Sequence, residues 1–191
     1  MSEPNHLSAL RTYWKRHKAF PSMAKLTEVL GMSSTGGVFK AIGRLVDAGY
    51  LERTQGRIAP TKKFFSLPLV GTVRAGVPQP ADQDESPELM NLDDYLVSHP
   101  ERTSFCRVKG ESMRDAGLLD GDLVVVEANT PTKPGDIVVA VVDNEVTIKF
   151  LRFEKTWYLE PANPAYDVIT PEGSLEVLGV VVGLVRRFDR R

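Results

Sequence analysis

The sequence predicts an α+β protein with a helical N-terminal domain at residues 1–65 and a mostly β domain at residues 66–191. Apolar residues recur at helical spacing in the first part, whereas the second has short runs rich in Val and Ile, separated by turn residues. Charge separates the same two parts: residues 1–65 carry a net charge of +7 and residues 66–191 a net charge of −8, within a chain of net charge −1. Halves that differ this much are rarely one uniform domain.

The N-terminal part begins with two predicted short helices. Leu7, Leu10 and Trp14 recur at helical spacing and predict the first. The second is expected to start after Ser22, whose side chain can cap it, and to end at Gly31, which can adopt the left-handed conformation of a helix stop.

A longer third helix and a hairpin are predicted next. Ser34 can cap this helix and Gly49 can end it. Its apolar positions follow the i, i+4, i+7, i+8 pattern of a buried face: Val38, Ile42, Leu45 and Val46. Residues 50–54 and 57–59 then flank a Gln55-Gly56 turn, which indicates a short β-hairpin.

This order of helices, tight turn, third helix and hairpin is typical of a winged helix-turn-helix, in which the third helix enters the major groove of DNA. The candidate DNA-contacting residues that point away from the predicted core are Ser34, Thr35, Gly36, Phe39, Lys40 and Arg44. Arg53, Arg57, Lys62 and Lys63 are better suited to phosphate contacts, which position without specifying sequence. The basic charge favours a polyanionic partner over the alternative, a small helical interaction domain.

The C-terminal part is predicted to be a compact β-fold. Its predicted strands are 67–73, Leu123–Glu127, Ile137–Val142, 146–151, Trp157–Glu160 and Leu175–Val185. Turn residues such as Asp120-Gly121 and Asp143-Asn144 separate them, with no helical pattern between.

Several classes of site are disfavoured. His6 and His17 lie in the helical part and His99 in a polar stretch. The β-rich part therefore offers no well-placed histidine for a Ser-His-Asp triad. No Cys/His cluster has metal-ligand spacing and no Gly-rich phosphate loop is present, so neither a metal nor a cofactor is expected. Cys106 is the single cysteine and cannot form a disulfide within the chain.

The apolar stretches are too short for a membrane-spanning helix, so no membrane partner is expected. Residues 178–185 form the longest one near the C-terminus, far below the roughly 20 residues of a membrane helix. The N-terminus shows no apolar signal region. With a single cysteine, these features predict a cytoplasmic protein.

Ser112 and Lys149 are the candidate catalytic residues. Gly110 allows a sharp turn that can present Ser112, and strand alternation places Lys149 on the same face as Leu151. A desolvated lysine favours its neutral form and can take the proton of a serine hydroxyl. At pH 7 an unperturbed lysine needs roughly 4–5 kcal/mol to lose its proton. From the residues alone, an ordinary Gly-x-Ser turn and a lysine that snorkels to solvent from an edge strand remain the alternatives.

Six segments together resemble LexA-type repressors. They are LPLVG at 67–71 followed by Ala75-Gly76, VKGESM at 108–113, GDLVVV at 121–126, GDIV at 135–138, EVTIK at 145–149, and the region from FPS at 20–22 to GYL at 49–51. The separation of 37 residues between Ser112 and Lys149 is also that of the family. The resemblance covers nearly the whole chain.

The resemblance implies a self-cleaving peptidase, in which Ser112 attacks the Ala75–Gly76 bond of its own chain. Lys149 acts as general base, and backbone N–H groups near Ser112 hold the oxyanion. In the family, a RecA–single-stranded-DNA filament stabilises the cleavage-competent loop. The C-terminal domain forms a homodimer that places two N-terminal DNA-binding domains on double-stranded, palindromic operator DNA. Cleavage therefore separates the DNA-binding domains from the dimer and relieves repression of DNA-damage response genes.

Two departures from the family are visible. Its best-known members carry Asn, Glu and Glu where this chain has Gly36, Phe39 and Lys40, which predicts a different operator. Arg74 precedes the scissile bond where a small residue is usual, which predicts slower cleavage or a different trigger.

Two related functions share the same self-cleaving domain. A UmuD-like translesion polymerase accessory protein works through protein contacts, and the basic N-terminal domain disfavours it. A phage-type repressor differs only in the genes it controls, so the sequence does not separate it from a chromosomal one.

Overall fold

The computed structural model describes residues 3–70 and 88–188 and has an α+β fold, with a helical N-terminal region and a mostly β C-terminal one. The chain divides into two compact units, Met1–Leu92 and Asp93–Arg191. The domain boundary predicted after residue 65 stays a prediction. The predicted cleavage residues Ala75 and Gly76, and the preceding Arg74, lie outside the described residues.

The N-terminal unit contains the three predicted helices and the predicted hairpin. Its elements are α1 (Glu3–His17), α2 (Met23–Val29), α3 (Thr35–Asp47), β1 (Leu51–Thr54), β2 (Arg57–Pro60), α4 (Lys62–Phe65), β3 (Leu67–Leu69) and β4 (Glu88–Met90). β1 pairs with β2 and β3 with β4, both antiparallel. The strand expected at 67–73 ends at Leu69 within the described residues.

The ends of α3 confirm the capping prediction. The Ser34 hydroxyl accepts a hydrogen bond from the backbone N–H of Gly37 at 3.2 Å, which satisfies a donor that the first turn leaves unpaired. At the other end Gly49 has φ +77°, the left-handed conformation that glycine adopts without strain. The third helix therefore has the limits that the sequence predicts.

The short helix α4 was not predicted, because residues 60–63 suggest a linker and four residues are too few to show a period. It buries Phe64 completely in an aromatic cluster with Trp14 and Phe20, whose rings lie 6.3 and 5.5 Å from the Phe64 ring. Arg11 fixes the following backbone by donating to the carbonyl oxygens of Phe64 and Ser66, each at 2.7 Å. A tertiary contact therefore orders a segment with little helical preference of its own.

The C-terminal unit is built on a six-stranded antiparallel sheet in the order β5-β6-β10-β7-β8-β9. Its elements are α5 (Leu92–Leu96, which begins one residue before the unit boundary), β5 (Thr103–Arg107), β6 (Leu123–Glu127), β7 (Ile137–Val142), β8 (Glu145–Phe153), β9 (Trp157–Glu160) and β10 (Leu175–Val185). Four of these strands have the predicted limits or longer ones at 123–127, 137–142, 145–153 and 157–160, and β10 matches as well.

Strand β5 was missed for a physical reason. It lies at the edge of the sheet and most of its side chains are exposed, so no regular apolar alternation marks it. Apart from Val125, the buried apolar residues described in this unit form two clusters. One surrounds the turn after β5 and contains Val108, Met113, Leu118, Val124, Val126 and Val139. The other contains Val138, Ala140, Val142, Leu151, Leu159 and Val180.

Within residues 3–70 and 88–188, no helix is both long and apolar enough to cross a bilayer.

Replacing Phe64 with Ala is expected to destabilise the helical unit by about 3–5 kcal/mol, because it empties a fully buried aromatic site. Urea unfolding followed by circular dichroism at 222 nm measures the free energy of unfolding. Phe39→Ala is the matched control, since Phe39 is 53% exposed on α3 and its loss should change stability by no more than about 0.5 kcal/mol. Equal effects of the two substitutions would contradict the packing described here.

Candidate active site

Ser112 lies on a sharp turn that follows strand β5. Gly110 has φ +89°, and its backbone N–H donates to Asp120 Oδ1 at 2.7 Å. The next residue, Met113, is 2% exposed and anchors the turn in the cluster beneath it. Ser112 itself is half-buried, so its hydroxyl is held by a rigid turn while remaining open to an incoming chain.

Lys149 lies on an inner strand of the sheet and not on an edge strand. In β8 it pairs with Val138 of β7, one residue before the pairing with β9 begins at Phe150, and it is 6% exposed. Its Nζ lies 2.9 Å from Ser112 Oγ, 2.8 Å from Thr147 Oγ1 and 3.0 Å from the carbonyl oxygen of Ile148. Lys149 therefore does not snorkel, and the structure brings the two candidate catalytic residues into direct contact.

Burial lowers the pKa of the Lys149 ammonium below its ordinary value, and desolvation is the cause. The neutral oxygens of Ser112, Thr147 and Ile148 surround Nζ, so the three hydrogen bonds that hold the amine involve no carboxylate. A neighbouring carboxylate would favour the charged form, whereas this setting favours the neutral amine.

Thr147 is the neighbour of Lys149 that sequence reasoning did not single out. It lies two residues away on the same strand, and strand alternation places both side chains on one face. Strand alternation is therefore the sequence feature that could have pointed to Thr147, although it does not by itself predict a hydrogen bond to Lys149.

A pocket of about 210 Å³ adjoins Ser112. It is lined by the end of β5, the turn that carries the serine, and the first half of β8: residues Cys106 to Gly110, Ser112, Met113, Val139 and Val146 to Ile148. Val139 belongs to β7, so the pocket next to the Ser112 hydroxyl is built from three strands and one turn.

An ion pair ties the C-terminal strand to the loop that follows Ser112. Arg186 Nε donates to Asp122 Oδ1 at 2.6 Å, and Arg186 Nη2 donates to the carbonyl oxygen of Gly117 at 2.6 Å. Asp122 is 3% exposed, and the hydrogen bond from Arg186 holds the pKa of this carboxyl below its usual range. The two residues are 64 positions apart, so nothing in the sequence pairs them.

The predicted DNA-contacting residues all lie in the N-terminal unit. Ser34 caps α3, and Thr35, Gly36, Phe39, Lys40 and Arg44 are exposed on that helix. Arg53 and Arg57 are exposed on the β1–β2 hairpin. These residues thus form an accessible set on one helix and one hairpin.

The three histidines lie in other parts of the chain than the turn that carries Ser112. His6 and His17 are in α1, and His99 lies beside Glu101 and Glu127, with Nε2 3.9 Å from Glu127 Oε1. Among the residues that the structure describes, no group of three or more His, Cys, Asp or Glu side chains is arranged to hold a metal ion.

Comparison with known proteins identifies the family. The model of the S24-like peptidase family matches residues 68–182. The chain is 39% identical to LexA repressor 1 of Geobacter sulfurreducens, with 88% of each chain covered, and 36% identical to LexA repressor 2 of the same organism, with 96% of this chain and 95% of the relative covered. It is 34% identical to LexA repressor 1 of Nocardia farcinica, over 95% of this chain and 90% of the relative.

The chain belongs to the LexA repressor family. It is a LexA-like repressor of the SOS response that carries a self-cleaving S24 domain, as the resemblance of its motifs implied. A phage-type repressor or a UmuD-like accessory protein is not favoured by these matches.

Replacing Lys149 with Met should stabilise the protein at neutral pH relative to wild type, by an amount that shrinks as pH rises. The folded state holds the pKa of Lys149 below that of the unfolded chain. At pH values below the folded-state pKa of Lys149, the lysine is protonated in both the folded and the unfolded chain. The folded protein then bears the full free-energy cost of a buried charge. As pH rises toward about 10.4, the ordinary value for lysine, that cost disappears.

Urea midpoints of wild type and Lys149→Met, measured from pH 6 to pH 10, check this prediction, with Ser112→Ala introduced in both chains to prevent cleavage. A gap between the two midpoints that is constant or widens with pH would contradict the lowered pKa.

Proposed function

We propose that this LexA family member binds operator DNA through a winged helix-turn-helix formed by α2, α3 and the β1–β2 hairpin. We further propose that it inactivates itself by cutting its own Ala75–Gly76 bond, with Ser112 as nucleophile and Lys149 as general base. The observation that carries the second proposal is the distance of 2.9 Å between Lys149 Nζ and Ser112 Oγ, with the lysine 6% exposed.

The neighbours of Lys149 suit a neutral amine. A neutral amine has two N–H groups and one lone pair, and the acceptors for its two hydrogens are Thr147 Oγ1 and the carbonyl oxygen of Ile148. The lone pair then faces Ser112, whose O–H can donate to it. Thr147 and Ile148 therefore orient the lone pair toward the proton that Lys149 has to remove.

The reaction follows in two stages. As Lys149 takes the hydroxyl proton, Ser112 Oγ attacks the carbonyl carbon of Ala75 and a tetrahedral oxyanion forms. Lys149 then gives the proton to the nitrogen of Gly76, the peptide bond breaks, and residues 1–75 remain as an ester on Ser112. Water, deprotonated by Lys149, hydrolyses the ester and restores the serine.

The oxyanion needs hydrogen-bond donors, and the backbone N–H groups of Ser112 and Met113 are the proposed ones. Within the part of the chain that the structure describes, neither N–H donates a hydrogen bond. Each remains free for a developing negative charge, which is the condition for an oxyanion hole.

Cleavage also requires Ala75 and Gly76 to enter the pocket beside Ser112. Small side chains at both positions suit a narrow cleft. We propose that a RecA–single-stranded-DNA filament favours this docked arrangement by binding it more tightly than the undocked one. Arg74 adds a bulky charged group next to the scissile bond, so slower cleavage than in relatives with a small residue there is expected.

The DNA-binding proposal rests on charge and exposure. The first 65 residues carry a net charge of +7, and the exposed face of α3 presents Lys40 and Arg44 while the hairpin presents Arg53 and Arg57. A homodimer formed through the C-terminal domain would place two such readers on one palindromic operator. Cleavage would separate each DNA-binding domain from the dimer. The gain in operator affinity that comes from two linked DNA contacts would then be lost.

Incubation of the full chain at pH 9–10 should produce two fragments, residues 1–75 and 76–191, because a larger share of Lys149 is then neutral. Ser112→Ala should remain intact, and Lys149→Ala should slow cleavage by about 100- to 10,000-fold. Mass spectrometry of the fragments locates the cut.

Ser104→Ala and Lys155→Ala make the same chemical changes at exposed positions of the same unit and should cleave at the wild-type rate. If Ser112→Ala cleaves as fast as Ser104→Ala, the assignment of the nucleophile is wrong.

Binding of the intact chain to operator DNA, selected from random sequence, should weaken steeply as salt rises. Arg57→Ala should weaken binding to all sequences and reduce the slope of log affinity against log salt by about 1, since it removes one phosphate contact. Lys40→Ala should change which sequences are selected. Fluorescence anisotropy at several salt concentrations gives the slope.

Lys155→Ala, in the C-terminal unit, is the control for loss of a positive charge. If the unmodified chain showed no salt-dependent DNA binding, that result would contradict the proposed repressor function and favour a UmuD-like protein.

A further inference from the structure

Asn163 lies in the loop after β9 and is 5% exposed, which makes it one of few buried polar side chains in the C-terminal unit outside the catalytic pair. Its Nδ2 donates to the carbonyl oxygen of Glu111 at 2.9 Å, and its Oδ1 accepts from the backbone N–H of Ala165 at 3.0 Å. Glu111 directly precedes Ser112. One buried amide therefore connects a distant loop to the backbone that carries the nucleophile, across 52 residues.

Two backbone hydrogen bonds run beside this contact. The N–H of Ala162 donates to the carbonyl oxygen of Ser112 at 2.8 Å, and the N–H of Asp115 donates to the carbonyl oxygen of Ala162 at 2.8 Å. The turn also makes its own bond, from the N–H of Arg114 to the carbonyl oxygen of Glu111 at 3.2 Å. Asn163 and Ala162 thus hold the carbonyl oxygens of Glu111 and Ser112 from outside the turn.

Peptide geometry makes this support relevant to the reaction. In a trans peptide the C=O and the following N–H point in opposite directions within one plane. Because Asn163 holds the carbonyl oxygen of Glu111, it also sets the direction of the Ser112 N–H. Ala162 sets the direction of the Met113 N–H in the same way. Neither of these two N–H groups has a partner within the described residues, and they are the proposed oxyanion donors.

We infer that Asn163 is a positioning residue for self-cleavage: by holding the carbonyl oxygen of Glu111, it aims the Ser112 N–H at the oxyanion. This inference rests on the proposed self-cleavage by Ser112. In this role Asn163 acts through the carbonyl oxygen of Glu111 and not on the proton of Lys149. Its loss should therefore lower the rate of the chemical step and leave the protonation of Lys149 as it was.

The test compares self-cleavage of wild type, Asn163→Asp and Asn163→Ala in the full chain from pH 6 to pH 10.5. Asn163→Asp is nearly isosteric and keeps the acceptor for Ala165, but it loses the donor to Glu111. Asn163→Ala loses both bonds without adding a charge. Asn144→Asp makes the same amide-to-carboxylate change on the exposed β7–β8 turn and is the matched control. Rates are expressed per folded molecule, with the folded fraction measured by circular dichroism.

Both Asn163 variants should cleave at least about tenfold more slowly at the alkaline plateau, since a misdirected oxyanion donor retains only part of its effect. The midpoint of the pH profile of Asn163→Ala should match that of wild type, and Asn144→Asp should match wild type throughout. If Asn163→Ala does not fold, the plateau rate of Asn163→Asp decides.

A plateau rate within twofold of wild type in a folded variant would overturn the inference. So would a shifted midpoint with an unchanged plateau in Asn163→Ala, because that would place the effect of Asn163 on Lys149. Failure of the proposed function is a separate outcome, recognised when Ser112→Ala cleaves at the wild-type rate.

Discussion

The contact between Lys149 Nζ and Ser112 Oγ depends on burying an amine that water would otherwise keep charged. An unperturbed lysine at pH 7 is about 4–5 kcal/mol from its neutral form, and desolvation within the sheet supplies part of that difference. Lys149 is 6% exposed, and its Nζ is held by Ser112, Thr147 and the carbonyl oxygen of Ile148, so the amine does not extend to solvent. The burial of this one side chain thus sets the chemistry of the proposed general base.

Holding this group buried has a consequence for the rest of the unit. A buried amine without a carboxylate partner destabilises the folded state whenever it is charged, so neighbouring contacts have to keep the site in place. The turn that carries Ser112 is held from two sides. Asp122 and Arg186 fix the loop after Ser112, and the segment after β9 fixes the backbone of the turn itself. These contacts explain how a serine can be half-buried and rigid while the pocket next to it remains open.

Much of the fold could be predicted because local rules decide it. Ser34 and Gly49 mark the ends of α3, and strands such as Leu123–Glu127 are apolar runs between turn residues. The short helix that buries Phe64 and the edge strand β5 could not, because one depends on tertiary packing and the other is mostly exposed. At the site, residue chemistry singled out Ser112 and Lys149 but left ordinary structural roles open, and the family motifs favoured catalysis. The supports from Arg186 and Asn163 span 64 and 52 residues, a separation at which no periodicity carries information.

The proposed role of Lys149 as general base depends on its protonation, which nuclear magnetic resonance can measure. Lysine labelled with carbon-13 at Cε would be incorporated into the full chain, each pH being recorded on a fresh sample, with the Lys149 signal assigned by its loss in Lys149→Arg. The expected result is a titration midpoint for Lys149 below the ordinary lysine value of about 10.4. A midpoint at or above that value would show a lysine that stays charged beside Ser112, and would contradict its role as a general base.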